Sequence, residues 1–509
     1  MAIYIFNLLV GYEPCGVDNA QGYRAKMLKY LSQSVKYVFT ELPRRKEFEY
    51  YGKKEIDKEK ILSMHYFMAG HLGIKSSVKI GDKLKKVKEY IPQAEIVYQK
   101  DQIIMKKAGI TFASFISNEK DSEYLERINY FEHGRLIRTE VYGDGIIYSE
   151  SFMTAKSEEG FYAKLVRRTF YKEDGTIAYD QIFRKEKDVY LFPDGRRYSK
   201  SQFIAEFVKE LNLQKSDTII LDRCAQFDFL QPLFKWGNKA RFIAVIHSEH
   251  YFEKGRDYNL FYQYLNWEYN YWFKYSKMID TMIVSTQEQK DRLIEVLQRY
   301  HCIVPNVGVI PVGGIEELKY PEQSRKPFSL ISVSRLQIQK RPDWLVKSVI
   351  KAHKRNSNIT LDIYGKGTFR SKLEMIIDEN HAHDYIRMMG YGDVTDAYRT
   401  YEVFVTTSVW ETLGLSTMEA IGSGTAVIGL DVPYGNRLFI KPEENGYLID
   451  YDMRNVDEEK LIDILAEKIL DIFEDEQRLE RFHQKSYEIA RGFLTEWIEE
   501  KWKKLLIGN

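Results

Sequence analysis

Short apolar runs alternate with helical stretches at both ends of the chain, while the middle follows a different period. Residues 2–10 (AIYIFNLLV) read as a buried strand. A turn-rich segment, 11–20, leads into a helix over about 19–33, and Val35 to Phe39 supplies the next strand. Strand, glycine loop, helix, strand is the opening of a Rossmann-like half. From about 46 to 199 a weak helical pattern, extending to about 92, gives way to alternating runs at 95–99, 110–115, 136–142, 146–152, 165–171 and 189–192. Hairpin signals lie between them: His133-Gly134, Asp144-Gly145, Asp174-Gly175 and Asp194-Gly195. The pattern predicts an antiparallel β meander inserted into a parallel-sheet domain. Such a sheet is a scaffold, or it offers an edge or face to a protein partner.

The α/β rhythm returns near residue 200. A helix at 200–213 precedes strands 218–221 and 242–246, the second ending in His247-Ser248-Glu249-His250. An aromatic-rich helix (258–276) and strands 282–285 and 307–311 follow. After Gly313-Gly314 and a charged linker (315–327), a second array opens with strand 329–333. It continues through helix 342–355, strand 360–364, helix 368–380 and strands 385–389, 403–406 and 425–429. Residues 457–475 and 477–507 read as two amphipathic helices.

Composition narrows the class. At 509 residues the chain exceeds what one core usually serves, so two or three domains are expected. Charges nearly cancel, 75 basic against 74 acidic, which implies no field of the kind that binds nucleic acid. Three scattered cysteines (Cys15, Cys224, Cys302) give neither a disulfide framework nor a zinc spacing, and a reducing cytosol suits them. The N-terminal apolar run is too short for a signal peptide or membrane span, so the protein is expected to act in the cytoplasm, with peripheral membrane contact left open.

The chemistry concentrates in Thr406 to Gly424, where Glu411 and Glu419 stand eight positions apart across a strand-to-helix turn containing Gly414. Backbone N–H groups, a helix N-terminus and two carboxylates at one place suit a polyhydroxylated ligand that also carries phosphate. Glu419 has a second reading, because Ser416-Thr417-Met418-Glu419 matches a capping box. Glu411 has no such local task. Arg335, with Lys340 five positions on, reads as a phosphate clamp at a strand's carboxyl end, or as a solvated loop. Gly11 and Gly16 either let backbone approach a phosphate or serve a turn. His247 and His250 with Glu249 do not make an HExxH zinc site, and Asp450-Tyr451-Asp452 reads as surface. A histidine poised at a sugar's reacting carbon, without metal, is the more economical role for His247.

Together these features resemble the retaining GT-B glycosyltransferases of the GT4 type: a glycine loop after the first strand, His247, Ser334-Arg335-Leu336 with Lys340, Tyr364-Gly365-Lys366-Gly367, and E-x7-E before Gly422-Ser423-Gly424. The resemblance covers about 1–45 and 200–500. The segments GVDNAQGYRAKML, HSEHY, IPVGGIEEL, KPFSLISVSRL, MEAIGSG and DVPYGN, with the β insertion, are similar to the GtfA family, catalytic subunits of the accessory Sec glycosyltransferase of Gram-positive bacteria.

That resemblance implies an α/β GT-B fold of two Rossmann-like domains facing a cleft, with an inserted antiparallel β-sheet domain in the N-terminal half. The N-terminal, acceptor-side domain would comprise 1–45 and 200–320, the insertion 46–199, the donor domain 321–487 and a closing helix 488–509. It implies transfer of N-acetylglucosamine from UDP-GlcNAc to Ser/Thr of a serine-rich repeat adhesin, with no metal or other cofactor. The partner would be a GtfB-like paralogue that shares the β insertion as its contact surface. Gly16, Val17, Asp18 and Asn19 would face the UDP diphosphate, and His247 would sit by the sugar. Arg335 and Lys340 would neutralise the departing phosphate, next to Gly365, and Tyr391 and Gly392 would frame the uracil. Glu411, Thr412, Leu413, Gly414 and Leu415 would hold the sugar, and Glu419 the ribose. The family commonly has EGFG where this chain has Glu411-Thr412-Leu413-Gly414, so Thr412 adds a Cβ; Gln339 stands where a Glu often precedes the lysine. The same resemblance leaves two alternatives: a polyol-phosphate (teichoic-acid) α-glycosyltransferase, and a non-catalytic GT-B partner subunit.

Overall fold

The computed structural model describes residues 1–10, 16–31, 34–71, 77–100, 102–118, 122–158, 160–185, 187–222, 227–251, 267–452 and 455–508. The expected glycine loop at 11–15, Cys224 and the first part of the aromatic helix fall outside them. Two compact units divide the chain: 1–13 with 31–242, and 14–30 with 243–509.

In the first unit, Ile3–Phe6 pairs in parallel with Val35–Phe39 on one side and Thr218–Leu221 on the other, and Val35–Phe39 pairs onward with Ile61–Ser63. The first strand is shorter than the apolar run 2–10 suggests, because Asn7 turns its side-chain carbonyl onto the Leu8 N–H (2.9 Å) and ends the ladder. Ile61–Ser63 and the short helix Met64–Met68 lie in the stretch read only as weakly helical.

The insertion is a ten-stranded antiparallel meander from Glu95–Gln99 to Arg197–Ser199, with every strand paired to the next in sequence. Alternation revealed six of its strands. It missed Gln102–Lys107, Leu125–Glu132, Ile177–Ile182 and Arg197–Ser199. The register shift at Ile116/Ser117 explains one omission: Ile116 pairs with Arg127 and Ser117 with Leu125, so Glu126 is an extra residue that breaks the period of two along Leu125–Glu132. Among the hairpin signals, His133-Gly134 takes positive φ at both positions (49° and 75°), as a primed turn needs. At Asp174-Gly175 only the glycine does, and the Asp174 carboxylate instead accepts from the Thr176 N–H (2.9 Å). Inside the sheet the buried Arg168 guanidinium meets Glu150 (2.5 Å) and Gln181 (3.0 Å). Beside it, His65 stacks on Phe170, and Phe203 of helix Lys200–Glu210 stacks on Tyr190 at 4.1 Å.

The second unit carries the parallel trio Arg241–Val245 (from Ile243 onward), Thr281–Val284 and Asn306–Val309. It also carries a six-stranded parallel sheet in the order Ile386–Gly390, Thr360–Tyr364, Lys326–Val333, Tyr401–Thr406, Ala426–Leu430, Gly446–Ile449. Numbered along the chain this is 3-2-1-4-5-6, the doubly wound order whose direction reverses between the Lys326–Val333 and Tyr401–Thr406 strands. The last predicted helix, 477–507, is two: Glu476–Arg491 and Thr495–Ile507. The break has a tertiary cause. Ile315 N–H donates to the Phe493 carbonyl (2.9 Å) and Thr495 N–H to the Ile315 carbonyl (2.9 Å), so the chain at 493–495 pairs with another segment rather than with itself. Ile315, read as the start of a linker, is therefore buried and pinned.

Candidate functional site

A doubly wound sheet leaves a crevice at the carboxyl ends of the two strands where its order reverses, because their connections depart in opposite directions. Here those ends are Ser334-Arg335-Leu336 and the segment from Thr406 to Gly414. Sequence placed the candidate cations after the first strand and Glu411 after the second, and the fold brings Lys340 and Glu411 together. Lys340 Nζ donates to Glu411 Oε2 at 2.6 Å, both side chains about one-fifth exposed. Glu411 thus has a protein partner, contrary to the expectation that it has no local task. The two segments are also stitched by backbone: Val409 N–H donates to the Gln339 carbonyl (3.0 Å), and Thr407 Oγ1 to the carbonyls of Lys340 (3.0 Å) and Arg341 (2.9 Å). Arg335 is exposed, and among the described residues no ion pair claims its guanidinium.

The neighbouring glycines are explained by crowding. Gly365 and Gly367 have φ of 152° and 154°, and a Cβ on them would stand 1.9 Å from the Ser334 carbonyl oxygen and 2.2 Å from that of Leu336. Leu336 N–H donates to the Lys366 carbonyl (2.8 Å), so the Tyr364–Gly367 segment is the platform on which the arginine loop rests. Beyond it, Tyr391 is 64% exposed, with Lys366 Nζ 5.6 Å from its ring, and a Cβ on Gly392 would meet nothing. An exposed aromatic face beside an open glycine suits stacking of a flat base.

Gly414 caps the helix Leu415–Gly422 in the left-handed region (φ 83°). The predicted capping box is absent: no side chain caps this helix, and Glu419 is turned elsewhere. Its carboxylate accepts from Tyr23 Oη at 2.6 Å and from Tyr398 Oη at 3.0 Å. Burial first, and Glu419 second, push both phenols up, so both remain neutral donors. Tyr23 lies on the helix Gly16–Met27, whose first turn holds Gly16, Val17, the buried Asp18 and Asn19. That helix is held close by Gly313, where a Cβ would fall 2.4 Å from Leu415 Cδ2 and 3.4 Å from Tyr23. The glycine pair that precedes the expected linker is thus a point of close packing. Leu413 is buried and Thr412 half-buried.

His247 follows the Arg241–Val245 strand. Its N–H and that of Ser248 both donate to Tyr269 Oη, at 3.1 and 2.9 Å, which fixes the turn. His250 is fully buried against Phe273, and burial holds it down to about 3. Among the described residues no cluster of three or more His, Cys, Asp or Glu is arranged to hold a metal ion. Sequence reasoning missed the tyrosines Tyr23, Tyr398, Tyr269 and Tyr434. Only Tyr434 carried a signal, as the one aromatic in the turn Val432-Pro433-Tyr434-Gly435.

The glycosyl transferases group 1 family matches residues 315–489, and the GtfA extended beta-sheet domain matches residues 95–194. The UDP-N-acetylglucosamine–peptide N-acetylglucosaminyltransferase GtfA subunit of Streptococcus pneumoniae serotype 4 is 37% identical over 511 residues, covering 99% of this chain and 98% of that protein. The chain belongs to the GtfA family. Its structure is similar to that of the pneumococcal O-GlcNAc transferase GtfA in complex with UDP and GlcNAc, with a TM-score of 0.88 at 36% identity over 100% of this chain and 98% of that one. It is also similar to a chain of a GtfA/B complex, with a TM-score of 0.84 at 33% identity over 100% and 99%. The fold is that of GT-B glycosyltransferases, with the antiparallel sheet inserted in the N-terminal half, as this GtfA family member's sequence implied.

Proposed function

We propose that the chain transfers N-acetylglucosamine from UDP-GlcNAc to Ser/Thr hydroxyls of a peptide, with retention at the anomeric carbon and without a metal ion. Membership in the GtfA family supports the donor and the peptide acceptor. The observation that carries the chemistry is the Lys340–Glu411 pair at the strand-order reversal, with Arg335 exposed on the same loop. When UDP leaves, negative charge grows on its β-phosphate. A fixed ammonium and a guanidinium there stabilise that charge without reorganising, the task a metal performs elsewhere. In this reading Glu411 accepts from sugar hydroxyls within the 411–415 loop, and Glu419 from the ribose. Tyr391 and Gly392 frame the uracil, the first turn of the Gly16–Met27 helix faces the diphosphate, and His247 stands beside the sugar. The acceptor is a serine-rich repeat protein modified before export at the cytoplasmic side of the membrane. A GtfB-like paralogue serves as partner, a reading that the similarity to a GtfA/B complex supports. Among the described residues no helix is long and apolar enough to cross a membrane.

The test is mass spectrometry of a Ser-rich peptide incubated with the chain, its paralogous partner and UDP-GlcNAc, with and without EDTA. GlcNAc added to serine in both arms is the expected result. Loss of transfer with EDTA overturns metal independence, and transfer only to a polyol-phosphate polymer overturns the acceptor.

A further inference from the structure

Tyr434 has backbone angles of φ 75° and ψ −99°, a region that a residue with a Cβ adopts only when its surroundings force it. Three contacts do so. Its N–H donates to Glu288 Oε2 (3.1 Å), and Glu288 is in turn bound by Arg437 (2.7 Å). Its hydroxyl donates to Glu249 Oε1 (2.9 Å). The next residue, Gly435, donates its N–H to the Glu411 carbonyl (3.3 Å) and lies so close to the sugar loop that a Cβ would stand 2.0 Å from the Leu413 carbonyl oxygen. The strained turn therefore joins the segment that carries His247 to the loop that carries Glu411.

Glu249 is an unusual anchor. Its Oε1 also accepts from the N–H groups of His250 (3.1 Å) and Tyr251 (3.2 Å), and its side chain is only 19% exposed. Burial pushes this carboxyl up to about 7, against the opposing pull of Tyr434, the two N–H groups and Arg292. A deeply set carboxylate contributes little to stability compared with an apolar group of the same shape, so stability alone gives no reason for it here.

We propose that Glu249 and Tyr434 are a positioning pair for glycosyl transfer, fixing the 411–414 loop relative to the His247 segment and so the pocket for the donor's hexosamine. This rests on the reading of 411–414 as the sugar loop. Among the described residues, the groups facing Glu249 include Tyr434, its neighbours His250 and Tyr251, and Arg292 from the helix Gln287–Arg299, while Glu288 of that helix faces the Tyr434 backbone. Of these, His250 titrates far lower, at about 3, and Tyr434 stays a neutral donor, because burial and Glu249 push its phenol up. Glu249 is thus protonated below about 7 and ionised above it, and Tyr434 donates to the stronger acceptor on the alkaline side.

The experiment uses the chain with its partner, UDP-GlcNAc and a Ser-rich peptide, and compares wild type with Tyr434→Phe and Glu249→Gln. Both variants are expected to melt as wild type does and to bind UDP alone equally well. Their KM for UDP-GlcNAc is expected to rise about tenfold, the loss of one hydrogen bond to a charged group. Wild-type kcat/KM is expected to fall as pH drops through about 7, and Glu249→Gln to lack that limb. Variants whose KM equals that of an active wild type overturn the proposal, as does an acid limb that persists in Glu249→Gln. A KM and a UDP affinity that weaken in parallel also overturn it, since that is general loosening. Should Glu249→Gln fail to fold, the split between KM and UDP affinity in Tyr434→Phe decides. A wild type that binds UDP and glycosylates nothing overturns the underlying function instead.

Discussion

In the inserted sheet, Arg168 finds Glu150 and Gln181, 18 and 13 positions away, on the neighbouring strands of a meander. In the candidate site, Lys340 finds Glu411 across 71 positions and Tyr23 finds Glu419 across 396. The sheet is assembled from contacts between consecutive strands, and its buried charge serves a core. The site is assembled from loop ends that meet only because strand order brings them to one edge, and its charges remain partly exposed, where a ligand can reach them. The same chemical pairing, cation on carboxylate, is therefore a packing device in one region and, in the function proposed above, a binding device in the other.

Mutations can break or sharpen that contrast. The largest effect is expected in the sheet. Glu150→Ala leaves a buried guanidinium with only Gln181 and the rings of Tyr148 and Phe183, and should cost about 3–5 kcal/mol in urea unfolding. UDP affinity should not change; a parallel fall would erase the distinction between the regions. Next, Lys340→Ala should lower kcat by about 100- to 1000-fold, read as GlcNAc transfer, with the melting temperature held. A large loss of stability without loss of rate would make Lys340 a packing residue after all. Tyr23→Phe removes one of two hydroxyls on Glu419 and should raise the KM for UDP-GlcNAc about tenfold, with Tyr398→Phe acting in the same direction. Because both act on one carboxylate, the double variant should depart from simple additivity. The smallest effect is expected from Thr412→Gly: about 0.5–1 kcal/mol of stability from added backbone freedom. The preference for UDP-GlcNAc over UDP-glucose should stay within about twofold, as for most half-exposed positions. A larger swing in competition assays would make Thr412 the residue that selects the sugar.

The legibility of the two regions differs for the same reason. Strand alternation and Gly-containing turns announced the meander, and one strand was lost where a bulge at Glu126 broke the period along Leu125–Glu132. In the second unit the sequence placed Arg335, Lys340 and Glu411 in the segments that follow strands, and Glu419 in the helix Leu415–Gly422 that comes next. It also left Glu419 a capping-box reading, because Ser416 and Glu419 have the right spacing for one, and the structure removes that alternative. Spacing reports what a helix terminus could do, not what Tyr23 and Tyr398 offer from elsewhere. The packing role of Gly313-Gly314 went unread, because a glycine's need for space is invisible until Leu415 and Met27 are seen against it. The segment 477–507 reads as one helix because its apolar period continues across 492–494, where pairing with Ile315 interrupts the backbone.

By itself, the sequence determined the local conformations and the chemical groups available: parallel α/β arrays at both ends, an antiparallel sheet between them, and two cations and two carboxylates in the segments that follow two strands. Periodicity encodes those, since it reflects backbone geometry and which face is buried. Only the tertiary structure decided which group meets which. That Lys340 lies on Glu411, that two tyrosines hold Glu419, and that Tyr434 is strained between Glu249, Glu288 and the carbonyl of Leu413 all follow from strand order and close backbone approach. No local period records those contacts, because each is a distance between segments remote along the chain.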